Sequence, residues 1–153
     1  MKRFFKFFLP FLTFLAMLLI LVNSTSTGEK TVETTTDIAG VIEEQIEAVT
    51  DQKVTFSDSQ KVKISKIGHF WEYTAFALFL SLSVVVWGGD LGKMIFHVLF
   101  CTVFLALADE QIQFFILNRG SRVSDVIIDL AGGFFGFGVA FASCYLWKRR
   151  KEK

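Results

Sequence analysis

Residues 109–136 combine acidic side chains with apolar runs long enough to enter a bilayer. Asp125 and Asp129 are four residues apart, as are Asp109 and Gln113, so each pair shares one face of a helix. An ionised side chain at membrane depth costs about 3 kcal/mol or more unless it is paired or hydrated. These residues are therefore candidates for a functional site, and their spacing predicts that two helix ends present polar faces to it.

A second polar group opens an earlier apolar run. Lys66, His69 and Glu72 lie at i, i+3 and i+6, which places them on one face of a helix. This face is suited to handling a proton or contacting an anion, because histidine titrates near neutral pH. In the alternative interpretation, the lysine and the histidine lie in the headgroup region, where Trp71 and Tyr73 anchor the helix.

Glu110 and two arginines form a third candidate group. Asp109 and Glu110 fall at the end of a predicted helix, where negative charge opposes the helix macrodipole. Arg119 or Arg122 is expected to compensate them, since a guanidinium binds a carboxylate or a phosphate through paired hydrogen bonds. Asp125 starts the following helix, so helix capping is an alternative explanation for this acid.

The composition is that of a membrane protein. The 153-residue chain is 52% hydrophobic, contains 19 phenylalanines and has a mean hydropathy of +0.49, which is too apolar for a soluble domain of this size. Cys101 and Cys144 both lie in apolar runs and predict neither a disulfide framework nor a thiolate metal site. We expect membrane lipids around the chain and no nucleic-acid partner.

Standard catalytic and metal-binding motifs are missing from the sequence. It contains no Ser-x-x-Lys, Gly-x-Ser-x-Gly or His-Glu-x-x-His, and no glycine loop that would bind phosphate. Carboxylate-bridged metal sites in helical bundles use duplicated Glu-x-x-His pairs, whereas the second histidine here, His97, lies near the opposite end of the membrane. We therefore expect no metal ion and no cofactor.

Four apolar runs predict transmembrane helices. They cover residues 4–22, 67–87, 91–108 and 126–146, each near the roughly 20 residues needed to cross a hydrocarbon core. The third should continue through Asp109 and Gln113, because residues 94–108 alone rise only about 22 Å. Residues 114–117 predict an interfacial or re-entrant loop. For the first run, a cleaved signal peptide is the alternative to a retained helix.

A polar segment separates the first two runs. Its Thr/Ser/Glu-rich start resembles a flexible tether, and residues 37–53 predict a short amphipathic helix resting on the membrane or the bundle. The predicted organisation is an N-terminal transmembrane helix at 1–22, an extracytoplasmic tether at 23–63, a three-helix membrane domain at 64–147 and a basic cytoplasmic tail at 148–153.

Basic residues near the helix ends predict the orientation. Nine of the sixteen lie on the side of the N-terminus, so both termini are expected to be cytoplasmic. The predicted fold is all-α: an integral membrane four-helix bundle, N-in/C-in, with an extracytoplasmic loop after helix one. One polar site is then expected at the outer end, formed by Lys66, His69, Glu72, Asp109, Glu110, Gln113, Arg119, Arg122, Asp125 and Asp129.

Small residues follow Asp129 on its helix. Gly132, Gly136, Ala140 and Ser143 recur at spacings of three and four, a stripe that permits close helix packing. Packing is the predicted role of the two glycines. The stripe also indicates that Asp129 points into the bundle, where it needs an internal partner.

The ordered motifs together resemble the VanZ-like family of bacterial membrane proteins over about residues 64–145. The motifs are Lys66-x-x-His69-Phe70-x-Glu72-Tyr73, Asp109-Glu110-x-x-Gln113, Arg119 six residues before Asp125, and Asp129-Leu-x-Gly-Gly-x-x-Gly. The family is named for a protein associated with low-level teicoplanin resistance. The resemblance implies a compact bundle of apolar helices in the bacterial cell membrane.

Two positions depart from the family pattern. Ile112 stands where a histidine often precedes the glutamine, which argues against a general base at that position. Leu117 and Asn118 replace a Pro-Gly before the arginine. Asparagine tolerates a left-handed turn, so we expect the shape of this loop to be preserved.

Three functional hypotheses follow from these residues and the resemblance. The main one is a protein whose outer site engages a lipid-linked cell-wall precursor or a peptidoglycan component and contributes to teicoplanin and lipoglycopeptide resistance. Its binding candidates are Arg119, Arg122, Gln113, Asp109, Asp125 and Lys66, with Glu72, Glu110 and Asp129 holding the arginines in place. The second is an intramembrane enzyme, with catalytic candidates Glu72, Glu110, Asp129 and His69. The third is an assembly protein without a ligand, whose charges lock the helices together.

Overall fold

The computed structural model describes residues 2–120 and 122–151, and this part of the chain folds into five α-helices without strands. The helices are α1 (Lys2–Ser24), α2 (Gly28–Thr50), α3 (Asp58–Val86), α4 (Leu91–Phe114) and α5 (Val123–Lys151). Four of them, α1, α3, α4 and α5, are long and apolar enough to cross a membrane. The prediction of an all-α chain with four apolar helices is confirmed.

The central helix is α3, which contacts each of the other four. Its 29 residues extend about 44 Å, more than the roughly 30 Å of a hydrocarbon core. The first turns of α3 therefore reach beyond the apolar part of the bundle, where α2 packs against them.

The second helix begins earlier than the sequence predicted. The flexible tether was expected from Asn23 and the amphipathic helix from Asp37, whereas α2 is continuous from Gly28. Thr27 caps it by accepting a hydrogen bond from the backbone N–H of Lys30. Tertiary packing supplies the rest of the explanation, because α2 buries Thr35 and Ala39 and packs against α3.

The closest helix contact joins α3 and α5 through the small-residue stripe. A Cβ added to Gly132 would overlap the backbone carbonyl of Phe70, and one added to Gly136 would overlap that of Thr74. The Thr74 hydroxyl also donates a hydrogen bond to the Gly132 carbonyl at 3.1 Å. The two predicted packing glycines thus lie where the backbones of α3 and α5 approach each other.

The loop after α4 turns at Asn118. This residue has a φ of 60°, in the left-handed region, as the sequence predicted. The preceding carbonyl, of Leu117, accepts a hydrogen bond from the backbone N–H of Gly28 at 3.3 Å. The loop therefore contacts the start of α2 and brings Arg119 close to the end of α1.

Candidate functional site

Three ionisable side chains from three helices meet inside the bundle, and we call them the His-Asp cluster: His69 of α3, Asp109 of α4 and Asp129 of α5. The Nδ1 atom of His69 lies 3.7 Å from Asp109 Oδ2 and 3.8 Å from Asp129 Oδ1. The side chains of both aspartates are only 1% exposed, whereas that of His69 is 18% exposed. The cluster is therefore buried, with the histidine on its accessible side.

Asp109 is held by hydrogen bonds from three side chains. Its Oδ1 accepts from the Ser24 hydroxyl and from Gln113 Nε2, the latter at 2.6 Å. Its Oδ2 accepts from the Tyr73 hydroxyl at 3.2 Å. These donors belong to α1, α4 and α3, so the carboxylate joins three helices. Its orientation is fixed because both of its oxygens accept hydrogen bonds.

Asp129 has no comparable support. Within the described residues, both of its carboxylate oxygens are buried without a hydrogen-bond partner, and so is Nδ1 of His69. A buried polar group without a partner is costly and rare in folded proteins. The internal partner that the sequence predicted for Asp129 is thus a histidine nitrogen that lies beyond hydrogen-bonding distance.

A polar cavity of about 170 Å³ borders the cluster where α1 ends and α2 packs on α3. Hydroxyl groups and two basic side chains are prominent in its wall, and His69 belongs to both the cavity and the cluster. The lining residues are Asn23, Ser26, Lys30, Thr31, Thr34, Thr35, Ile38, Ile64, Ser65, Gly68, His69, Glu72 and Arg119.

Arg119 binds the backbone at the end of α1. Its Nη1 donates to the carbonyl oxygens of Asn23 at 2.5 Å, Ser26 at 3.1 Å and Ser24 at 3.3 Å. A basic group at a helix C-terminus satisfies carbonyls that have no partner within the helix and complements the dipole. Arg119 therefore fixes the rim of the cavity as well as giving it positive charge.

The carboxylates expected to hold the arginines have other partners. Glu72 accepts a hydrogen bond from Asn23 Nδ2 at 2.5 Å. Glu110, which is 5% exposed, accepts from the backbone N–H of Arg122 at 2.9 Å. The predicted pairing of acids with guanidinium groups is replaced by bonds to an amide side chain and to backbone. The physical reason is that the end of α1 offers carbonyls without a partner inside the helix, and Arg119 binds them.

The remaining predicted binding residues lie outside the cavity wall. Lys66 forms an ion pair with Asp125 between α3 and α5, with both side chains partly exposed. Gln113 is buried and contacts Asp109 rather than the cavity. Arg122 is exposed, and its backbone N–H is what binds Glu110. Of the predicted binding residues, Arg119 is the one that lines the cavity.

The part of the cavity formed by α2, including Lys30, was not predicted from the sequence. The Thr-rich start of this segment resembles a flexible tether, so its side chains had no predicted position. A signal was present: Thr27, Thr31, Thr35 and Ala39 recur every four residues, which gives a helix one narrow face of small residues. The last two are buried and Thr31 lines the cavity.

Comparison with known proteins identifies the family. The family model described as VanZ/LLP1 matches residues 8–147, a region that includes the His-Asp cluster and the polar cavity. No curated protein and no solved structure matches the chain. The match starts within α1 and therefore includes α2 as well as the four long apolar helices. The resemblance seen in the motifs is confirmed, and the chain belongs to the VanZ/LLP1 family as a VanZ-like membrane protein.

Proposed function

We propose that this protein binds an anionic group of a cell-envelope component in the polar cavity and thereby contributes to teicoplanin and lipoglycopeptide resistance. The observation that carries the proposal is the cavity wall itself, which combines Lys30 and Arg119 with the hydroxyls of Ser26, Thr31, Thr34, Thr35 and Ser65. The wall also contains the carboxylate of Glu72, which accepts a hydrogen bond from Asn23. Positive charge together with hydroxyl donors is suited to a phosphate or a carboxylate.

The geometry of Arg119 supports this role. Its Nη1 makes the three bonds to the end of α1, which fixes the guanidinium at the cavity rim. No hydrogen bond to another described residue involves the other N–H groups of the guanidinium, so they are available to a ligand. A group that is already positioned loses little conformational freedom on binding, so its hydrogen bonds contribute more fully to affinity. Lys30 of α2 is exposed and adds a second cation to the cavity wall.

The orientation determines which ligands can reach the cavity. With both termini in the cytoplasm of a bacterial cell, α1 ends at the outer face of the membrane, and the cavity opens there. A lipid-linked cell-wall precursor carries phosphate and a peptidoglycan stem carries carboxylates, so both offer anionic groups at this depth. The cavity is of a size for such a group and not for a whole lipid.

The test is antibiotic susceptibility in a sensitive Gram-positive host. Expression of the wild type is expected to raise the teicoplanin concentration that inhibits growth more than the vancomycin concentration. Lys30→Gln removes a cavity charge and is expected to abolish this increase. Lys63→Gln, on an exposed position of α3 outside the cavity wall, is the matched control and is expected to retain it.

Membrane abundance must be measured for each variant by quantitative immunoblotting. Equal resistance from the wild type and Lys30→Gln at equal abundance would contradict the anion-binding mechanism. A well-expressed wild type that leaves teicoplanin sensitivity unchanged would contradict the resistance role.

A second candidate is an intramembrane enzyme acting on a lipid-linked or peptide substrate. The observation that favours it is the contact between the cavity and the His-Asp cluster through His69, which places carboxylates near a bound ligand. This function requires turnover. Membranes containing the wild type should generate a chemically changed lipid or peptide, detected by mass spectrometry, that membranes containing Asp129→Asn do not.

The assembly hypothesis is favoured by the hydrogen bonds of Asp109, which join three helices. If assembly is the whole function, every substitution in the cavity or the cluster should reduce resistance only as far as it reduces folded protein. Loss of resistance in Lys30→Gln at full abundance would therefore separate ligand binding from assembly.

A further inference from the structure

The His-Asp cluster offers three ligand atoms without a complete set of protein partners. One atom each from His69, Asp109 and Asp129 lies within 4.8 Å of the other two. Both carboxylate oxygens of Asp129 and Nδ1 of His69 are buried and make no hydrogen bond within the described residues. The histidine nitrogen lies 3.7 and 3.8 Å from the two carboxylates, which is within the range of an ion pair but beyond hydrogen-bonding distance.

These spacings are close to those of atoms that share one ion. Nitrogen and oxygen ligands lie about 2.1 Å from Zn²⁺, so two ligands at a tetrahedral angle are about 3.4 Å apart. The two histidine distances exceed this value by only a few tenths of an ångström. Rotation of the Asp129 carboxylate can close the remaining gap, because no hydrogen bond restrains it.

The structure assigns a binding site for a divalent transition-metal ion to His69, Asp109 and Asp129, between α3, α4 and α5. One imidazole nitrogen and two carboxylate oxygens form a donor set suited to ions such as Zn²⁺, Mn²⁺ or Fe²⁺. A divalent cation would give Asp129 the partner that it lacks among the described side chains. It would also balance the negative charge of the two buried carboxylates, which have only one histidine between them in the cluster.

The surroundings of Asp109 match those of a supported metal ligand. Ligating carboxylates are commonly oriented by hydrogen bonds from neighbouring groups. Here Ser24, Gln113 and Tyr73 provide such bonds and hold the carboxylate in one orientation. Asp109 is thus the fixed ligand of the site, and Asp129 is the adjustable one.

The site also has a route for the ion. His69 lines the polar cavity, whereas both aspartates are almost fully buried behind it. An ion entering through the cavity would meet the imidazole first and retain an open coordination position on that side. Three protein ligands with one open position is an arrangement that allows water or an oxygen of a cavity ligand to bind the metal.

One polar site containing these three residues was predicted from the sequence, but a metal ion was not, because the ligands come from three helices and not from one motif. The expectation of no metal rested on the absence of a repeated Glu-x-x-His pair and on the distant position of His97. Neither observation excludes a metal site formed by one histidine and two aspartates that helix packing brings together. The proposal is independent of anion binding, since it depends on the cluster alone.

The experiment measures zinc binding by the purified, tag-free full-length protein in detergent micelles. After treatment with a chelator and buffer exchange, Zn²⁺ is added, excess ion is removed, and bound metal is measured by mass spectrometry. We expect about one zinc per wild-type chain. Asp129→Asn and His69→Gln each remove one ligand and are expected to weaken zinc binding by at least about 100-fold.

The matched control is Asp125→Asn, which removes a carboxylate from the same helix one turn earlier. This residue pairs with Lys66 and lies outside the cluster, so zinc binding should remain within twofold of the wild type. Size-exclusion chromatography checks that each variant is folded. If Asp129→Asn fails this check, His69→Gln, whose site is partly exposed, provides the decisive comparison.

Cobalt provides a readout that a merely structural role would not affect. Co²⁺ bound by one imidazole and two carboxylates should give visible d–d absorption in the wild type and Asp125→Asn, and this absorption should be absent from His69→Gln. A wild type that retains no stoichiometric zinc would overturn the proposal. Zinc retained equally by the wild type and His69→Gln would overturn it as well.

Discussion

Two buried aspartates lie side by side in this bundle, and their surroundings differ sharply. Asp109, near the end of α4, accepts hydrogen bonds from three side chains on three helices. Asp129, near the start of α5, has none within the described residues, although its side chain is equally buried. Burial alone therefore does not distinguish a structural carboxylate from one available to a ligand. The hydrogen-bond donors around each carboxylate make this distinction.

The comparison predicts that Asp109→Leu has the largest effect on stability. The substitution leaves the donors of Tyr73 and Gln113 buried without an acceptor among the described residues, at about 1–3 kcal/mol for each unsatisfied group. It also removes the bond from Ser24, whose hydroxyl keeps the Ile20 carbonyl as an acceptor. We expect a loss of about 3 kcal/mol or more, measured as the free energy of unfolding in mixed micelles. A loss under about 1 kcal/mol would mean that these bonds do not hold the helices together.

The second prediction concerns the α3–α5 contact that positions Asp129. Gly132→Ala would place a Cβ against the backbone carbonyl of Phe70, which cannot move without shifting α3. Overpacking of this kind costs about 1–3 kcal/mol. The same free energy of unfolding measures it.

Gly138→Ala on the same helix is the control for that prediction. A Cβ at Gly138 meets nothing within 4 Å, and alanine favours helix over glycine by about 1 kcal/mol, so this variant should be as stable as the wild type or more stable. Equal changes in stability from the two substitutions would show that close contact between Gly132 and Phe70 does not determine the result.

A smaller effect is expected from the ion pair at the edge of the cluster. Lys66→Met breaks the bond to Asp125, but both side chains are partly exposed, at 29% and 23%. Ion pairs in contact with solvent contribute about 1 kcal/mol or less, so the free energy of unfolding should fall by no more than that. A larger loss would place this pair with Asp109 among the structural contacts.

The smallest effect is predicted for Asp129→Leu. This variant removes a buried carboxylate that makes no hydrogen bond to the described residues, so we expect no loss of stability in the absence of added metal. The unfolding temperatures of Asp129→Leu and Asp109→Leu, followed by tryptophan fluorescence, are compared with that of the wild type. Similar losses in the two variants would show that Asp129 has a stabilising partner and that the two carboxylates have one role.

Much of the membrane architecture could be predicted because it depends on local sequence. The apolar runs predicted α1, α3, α4 and α5, and the length argument correctly extended α4 through Asp109 and Gln113. The conformation of Asn118 followed from the tolerance of asparagine for positive φ. The start of α2 was misplaced because its polar residues carry little hydrophobic periodicity, and packing against α3 is what stabilises the helix.

The candidate site was predicted less completely than the helices. The sequence predicted one polar site containing His69, Asp109 and Asp129, since charge inside apolar runs requires a reason. It also named Arg119 but assigned carboxylate partners to it, whereas backbone carbonyls at the end of α1 bind it. Lys30 was not a candidate, because the four-residue recurrence from Thr27 to Ala39 indicates a helix face but not that packing against α3 places Lys30 at the cavity.

The sequence by itself determined the number and apolar character of the long helices and which of their residues carry charge, because these properties depend on composition and on spacing within one segment. Only the tertiary structure decided which groups these charged residues bind. The bond from Ser24 to Asp109 joins residues 85 positions apart, and Arg119 reaches Asn23 across 96 positions. Such contacts depend on how whole helices pack, and the same packing gives Asp109 its donors while leaving Asp129 without them.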